Sequence, residues 1–102
     1  MPGHKLRIEL SPAARLDLRT ILRISRKRWG ERQRDAYQRA IDRALGRLAS
    51  FPDIDRTRDD LGSALRSLPV EQHLILYRTE GETLRIMRIV HSQRDVVVED
   101  LI

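Results

Sequence analysis

The chain has 102 residues, with 20 Lys and Arg against 15 Asp and Glu, three His and no Cys, for a formal charge of +5. That length holds one domain across residues 1–102, since a second core would need roughly 50 further residues at least. With no cysteine there is neither a disulfide framework nor a thiolate metal site, which suits a reducing cytoplasm. The longest apolar runs, residues 74–77 and 96–98, are too short to span a bilayer, and the first five residues lack the apolar stretch of a signal peptide. Only Lys5 and Lys27 are lysine; every other basic residue is arginine. Arginine suits bidentate contacts to carboxylate or phosphate, and a skewed genomic base composition favours its codons as well.

Residues 6–10 alternate weakly around Ile8 and read as a short first strand. Ser11-Pro12 then supplies a helix N-cap followed by proline at the first helical position. The helix is expected to run to about Trp29, where Gly30 stops it. Leu18, Ile21, Leu22 and Trp29, with Ser25 between, make its apolar stripe. Leu16 and Ile24 lie off that stripe, so either the apolar face is broad or something covers a second side. A second helix is expected from near Glu31 to near Ser50, with Tyr37, Ala40, Ile41, Ala44, Leu45 and Leu48 on one face. Phe51-Pro52 closes it, because the residue before proline is pushed away from helical torsions. The short junction at Gly30 makes the two helices antiparallel neighbours, a hairpin over about residues 12–50. Residues 53–63 lack apolar periodicity and read as an exposed loop.

Three strand-like segments follow over about residues 64–91: 64–70, 72–79 and 83–91, the last two joined by the turn signal Glu80-Gly81-Glu82. Residues 74–77 are apolar on both faces, which indicates a central strand covered on both sides. The helices can cover only one face of such a sheet. The tail, residues 92–102, is compatible with a short helix, a strand, or disorder until bound. The expected class is therefore α+β: a short N-terminal strand, then an antiparallel helical hairpin packed on an antiparallel sheet, in the order β-α-α-β-β-β.

Charge is patterned along the helices. Arg15, Arg19, Arg23 and Lys27 follow at four-residue steps, as do Arg39, Arg43 and Arg47. Like charges at that spacing cost an isolated helix roughly 0.2–0.5 kcal/mol per pair. The ladders are either a solvated face or a track for an acidic partner. Sequence-specific nucleic-acid binding has little support: there is no helix-turn-helix spacing, aromatic platform or Gly-rich phosphate loop. Trp29 and Phe51, at helix ends, read as packing residues. Near the end of the chain His91, Arg94 and Asp95 cluster, and such a set can act as a general base with an electrostatic stabiliser, or simply end a strand and cap a turn. No sequence spacing brings His73 to His91. Three scattered His make a weak case for a metal, and no cofactor or enzyme motif is specific.

The segments 10–14, 28–30, 65–70, 73–78 and 86–91, followed by Arg94-Asp95, stand in an order and spacing that resembles the ParE toxins of the RelE/ParE superfamily. The similarity runs from about residue 6 to residue 101. It implies a non-enzymatic toxin of a type II toxin–antitoxin module, which inhibits DNA gyrase and blocks replication. It also implies neutralisation by a ParD-like antitoxin whose acidic amphipathic tail wraps the toxin. On that resemblance Leu16, Arg19, Arg23, Ile24, Arg66, Arg78 and Arg88 are the expected antitoxin-binding residues, and His91, Arg94 and Asp95 the expected gyrase contacts. The alternative is a RelE-like cleavage of ribosome-bound mRNA, for which His91, Arg66 and Arg88 are the nearest match to a catalytic set. No membrane partner is expected.

Overall fold

A computed structural model of the chain describes residues 5–51 and 65–93. Its elements are β1 (Arg7–Leu10), α1 (Pro12–Trp29), α2 (Glu31–Ser50), β2 (Arg66–Val70), β3 (His73–Glu80) and β4 (Thr83–His91). This is the α+β order expected from the sequence, with strand bounds shifted by a residue or two. The loop at 53–63, and the tail from residue 94 with Arg94 and Asp95, lie outside the described residues.

Ser11 starts the helical half with three bonds. Its hydroxyl oxygen accepts from the Ala14 N–H at 3.0 Å, capping α1. The same hydroxyl donates to the Met87 carbonyl at 2.7 Å, and the Ser11 N–H donates to the Ile86 carbonyl at 2.9 Å. At the other end Gly30 has φ +92°, in the left-handed region that glycine tolerates. Its N–H caps α1 through the Arg26 carbonyl and its own carbonyl accepts from Arg34, so one residue links the two helices.

The sheet order is β1-β4-β3-β2. β2, β3 and β4 form the expected antiparallel meander, with β3 between its neighbours. β1 adds beside β4 in parallel, which makes the sheet mixed. Pro69 is tolerated because β2 is an edge strand. On the hairpin side, Ile41, Leu45 and Leu48 of α2 pack with Ile75, Tyr77, Leu84, Ile86 and Ile89. Leu76 and Val90 join Leu65 in a second buried cluster. Ile75, Leu76 and Tyr77 are all fully buried, as a central strand covered on both faces requires. Each such side chain contributes about 1.5–3 kcal/mol of transfer free energy.

A bulge shapes β4. Tyr77 faces Ile86 but Leu76 faces Arg88, leaving Met87 as the extra residue. The inward positions thus change from even (Leu84, Ile86) to odd (Ile89), and both stretches reach the helices. β1 ends opposite Ile86, so the β4 edge beyond it has no strand partner. Helix α1 fills that place. Asp17 Oδ2 accepts from the Ile89 N–H at 2.9 Å and from Arg88 Nε at 2.7 Å, while Oδ1 accepts from Arg88 Nη2 at 2.9 Å. The two side chains are only 15% and 16% exposed. Among the described residues, no helix is long and apolar enough to cross a membrane.

Replacing Asp17 leaves a guanidinium and an edge N–H shielded from water without their acceptor. Asp17→Ala is therefore expected to cost about 2–4 kcal/mol in urea unfolding, and Asp17→Asn, which keeps an acceptor oxygen, less. Equal stability of Asp17→Ala and the parent chain would contradict the clamp.

Candidate functional site

Along α1, Leu16, Thr20, Ile24 and Arg28 recur at four-residue steps and form one wall of a groove of about 480 Å³. Gln72 and His73 at the start of β3, with Ile89, Val90 and His91 of β4, form the facing wall. Ile21, Ser25 and Tyr37 lie between the walls, and Trp29 stands at one end. The Asp17 clamp sets the distance between the walls, because it joins α1 to β4 within the groove itself.

Leu16 and Ile24, the pair off the main stripe, are 58% and 47% exposed and line this groove. Trp29 and Phe51 are 61% and 58% exposed, which corrects their reading as packing residues. Trp29 instead lines the groove and carries the Arg28 guanidinium 5.7 Å from its ring centroid. An exposed apolar set of this size beside a groove is a docking surface by its physical character.

The arginines divide into two groups. On the sheet they are engaged: Arg88 with Asp17, Arg78 with Glu80 at 2.6 Å, and Arg85 with Glu9 at 3.1 Å. Arg66 stands opposite Tyr77, at the far end of β2 from the Val70–His73 pair. The structure therefore does not bring Arg66 to His91. On the helices Arg15, Arg19, Arg23, Arg39, Arg43 and Arg47 are exposed, and none has an ion-pair partner among the described residues.

A cluster that the sequence did not announce lies in the groove. His73 and His91 face each other across β3 and β4, with ring centroids 5.4 Å apart and planes at 74°. Tyr37 meets His73 edge-on at 5.6 Å and 89°, and its hydroxyl bonds His73 Nδ1. Counted back from the Gly81–Glu82 turn, His73 would face Val90; the extra residue at Met87 brings His91 opposite instead. Only knowledge of that bulge could have paired them from the sequence. Ser92 N–H donates to the Gln72 carbonyl, so the His73–His91 pair is the non-hydrogen-bonded kind, in which side chains approach more closely.

Burial pushes the Tyr37 hydroxyl pKa up, a backbone hydrogen bond with Gln72 opposes this, and Glu71 adds to the rise. Burial pushes His73 down, neighbouring His91 lowers it further, and Asp17 opposes both. The protonated phenol and neutral imidazole match a Tyr37 O–H that donates to Nδ1, which leaves the His73 proton on Nε2. His91 Nδ1 accepts from the Gln93 N–H at 3.2 Å, so its proton also lies on Nε2. Among the described residues, no group of three or more His, Asp or Glu is arranged to hold a metal.

The family described as ParE toxin of type II toxin-antitoxin system, parDE, matches residues 8–96. Toxin ParE1 of Mycobacterium tuberculosis is 36% identical over 88 residues, 85% of this chain and 90% of that protein. Toxin ParE of Escherichia coli is 29% identical over 89 residues, 86% of each chain. Among solved structures, one of a chromosomal ParDE toxin–antitoxin system from P. aeruginosa superposes with a TM-score of 0.73 at 19% identity, covering 87% of this chain and 98% of that one. The RelBE2 toxin–antitoxin complex of Mycobacterium tuberculosis superposes with a TM-score of 0.62 at 21% identity, covering 85% and 98%. At those identities the two structural matches speak for the fold.

The lowered His73 pKa makes a stability prediction. The unfolded chain binds a proton at this residue near pH 6.5, while the folded chain resists it. Stability is then complete above that value and falls as the pH drops below it. Thermal unfolding is expected to show a decline between pH 7 and 5.5 that His73→Gln flattens; an equal decline in the variant would place its origin elsewhere.

Proposed function

Because the chain belongs to the ParE toxins of type II toxin–antitoxin systems, we propose that it arrests growth by binding DNA gyrase, and that a ParD-like antitoxin neutralises it by filling the α1–β4 groove. The match of the family over residues 8–96 supports a toxin of a type II module, and gyrase is the target proposed for it. Support for the antitoxin half is the exposed apolar set Leu16, Ile24 and Trp29, with Arg28 in the same groove and Arg23 next to Ile24 along α1, neither ion-paired among the described residues. An amphipathic acidic helix meets both demands, its apolar residues entering the groove and its carboxylates meeting Arg19 and Arg23. Its continuation along the sheet would meet Arg66 and Arg78, with Arg88 already neutralised by Asp17.

The gyrase reading is favoured over the expected ribonuclease set by where the arginines of that set lie. A ribonuclease needs acid, base and positive charge at one phosphate. Arg88 is held by Asp17 and Arg66 is remote from His91, so the set expected for mRNA cleavage is dispersed. We assign the gyrase contact to His91 at the end of β4, together with Arg94 and Asp95, which lie outside the described residues. His91 also lines the groove, so an antitoxin seated there covers part of the surface that meets the target. The toxin acts in the cytoplasm, where gyrase works.

Two measurements test this. Purified protein in molar excess is expected to block gyrase supercoiling. No effect there, together with cleavage of mRNA on translating ribosomes that His91→Ala abolishes, would replace the gyrase reading with the ribonuclease. For the antitoxin, Ile24→Asp places a charge in an apolar contact and is expected to weaken binding at least tenfold with the fold intact. Double charge reversal at Arg19 and Arg23 is expected to weaken it several-fold, with reduced salt dependence. Unchanged affinity in both variants would remove the groove from the interface.

A further inference from the structure

The groove is apolar along α1 but not at its β-strand end. There His73 and His91 form a close cross-strand pair. Both rings have their Nδ1 occupied, His73 by the Tyr37 hydroxyl and His91 by the Gln93 N–H. Each therefore carries its proton on Nε2, so two rings with an N–H left to donate line the same end of the groove. Arg28 adds a guanidinium to the same groove, and no ion pair within the described residues engages it. Acceptors are scarce: Asp17, the one carboxylate lining the groove, already serves Arg88 and the Ile89 N–H.

We propose that the His73–His91 pair, with Arg28, is a receiving site for a carboxylate carried by the acidic helix that fills the groove, and that seating this carboxylate takes up a proton. This rests on the antitoxin occupying the groove. The occupant is an acidic peptide because the groove's own charge calls for one: Arg28 lines it and Arg23 precedes the lining residue Ile24, neither ion-paired, while among the described residues its one lining carboxylate, Asp17, is already engaged.

The groups facing His73 set the direction of the proton linkage. Tyr37 from α2 donates to it, and His91 from β4 discourages its protonation. Asp17 from α1 favours protonation, though its charge is shared with Arg88. Glu71 precedes it by two residues in the β2–β3 turn, and Arg28 lies along α1. In the free protein burial and His91 prevail and hold His73 neutral. A carboxylate brought within about 4 Å adds the missing counter-charge and reverses that balance. Binding then strengthens as the pH falls. A purely apolar lid over the same rings would do the opposite, since deeper burial disfavours the charged form.

The test uses the full chain and the antitoxin co-expressed from the adjoining reading frame. Calorimetry at pH 8 and pH 6, in buffers of different ionisation enthalpy, gives affinity and proton uptake. NMR of the imidazole resonances gives the His73 pKa free and bound. Affinity is expected to tighten about five- to tenfold on acidification, with uptake of close to one proton and a raised His73 pKa in the complex. His91→Gln and His73→Gln, which retain an N–H donor near Nε2 but do not titrate, are each expected to reduce the pH dependence. Affinity that is constant or weaker at pH 6, or a His73 pKa that falls on binding, would overturn the carboxylate site while Ile24→Asp still weakened binding. If Ile24→Asp bound as the parent does, the docking of the antitoxin in this groove would itself be wrong.

Discussion

The edge of β4 beyond Ile86 is the constraint on which both fold and groove depend. β1 is too short to pair with it, and a shielded backbone N–H left without an acceptor costs about 1–3 kcal/mol. Helix α1 supplies what the missing strand would have given: Ser11 takes the Met87 carbonyl and Asp17 takes the Ile89 N–H. Because the substitute is a helix, its outer residues stand away from the sheet and a cleft opens where a strand would have closed it. The bulge at Met87 is part of the same arrangement. It turns Ile89 toward the helices and carries His91 to the position opposite His73.

The arginine excess resolves into two uses of one residue type. On the sheet, Arg85 and Arg88 tie β4 to β1 and α1 through Glu9 and Asp17, and Arg78 pairs with Glu80 within β3. Exposed pairs of that kind are worth little, about 0–1 kcal/mol, whereas the shielded Arg88–Asp17 pair is a genuine structural tie. On the helices, Arg15, Arg19, Arg23, Arg39, Arg43 and Arg47 are exposed, with no ion-pair partner among the described residues. Their mutual repulsion is a small cost in the free chain, which the acidic partner proposed above would relieve. The free toxin thus keeps both its apolar wall and its charge available to the molecule that silences it.

Much of the fold was legible because its signals are local. Ser11-Pro12, Gly30 and Phe51-Pro52 bound the helices, and the doubly apolar run from Leu74 to Tyr77 marks the central strand. Leu16 and Ile24 were legible as a second apolar line on α1, although what faces them was not. The parallel pairing of β1 was not legible, since four residues carry no information about partner or direction. Asp17 was hidden for another reason: its place on the helix wheel does not say that an unpaired strand edge waits beside it. His73 and His91 were hidden by one inserted residue, because a register shift has no signature in hydrophobic alternation. Trp29 was misread because aromatic character argues for burial only when the neighbouring geometry provides a core.

If an antitoxin silences the toxin by filling the α1–β4 groove, amide hydrogen exchange of the toxin alone and in complex will show it: exchange slows in α1 from Leu16 to Trp29 and at the facing strand ends, around Gln72–His73 and Ile89–His91. Protection confined to the outer edge of β2, with α1 and the end of β4 exchanging as in the free protein, would contradict it.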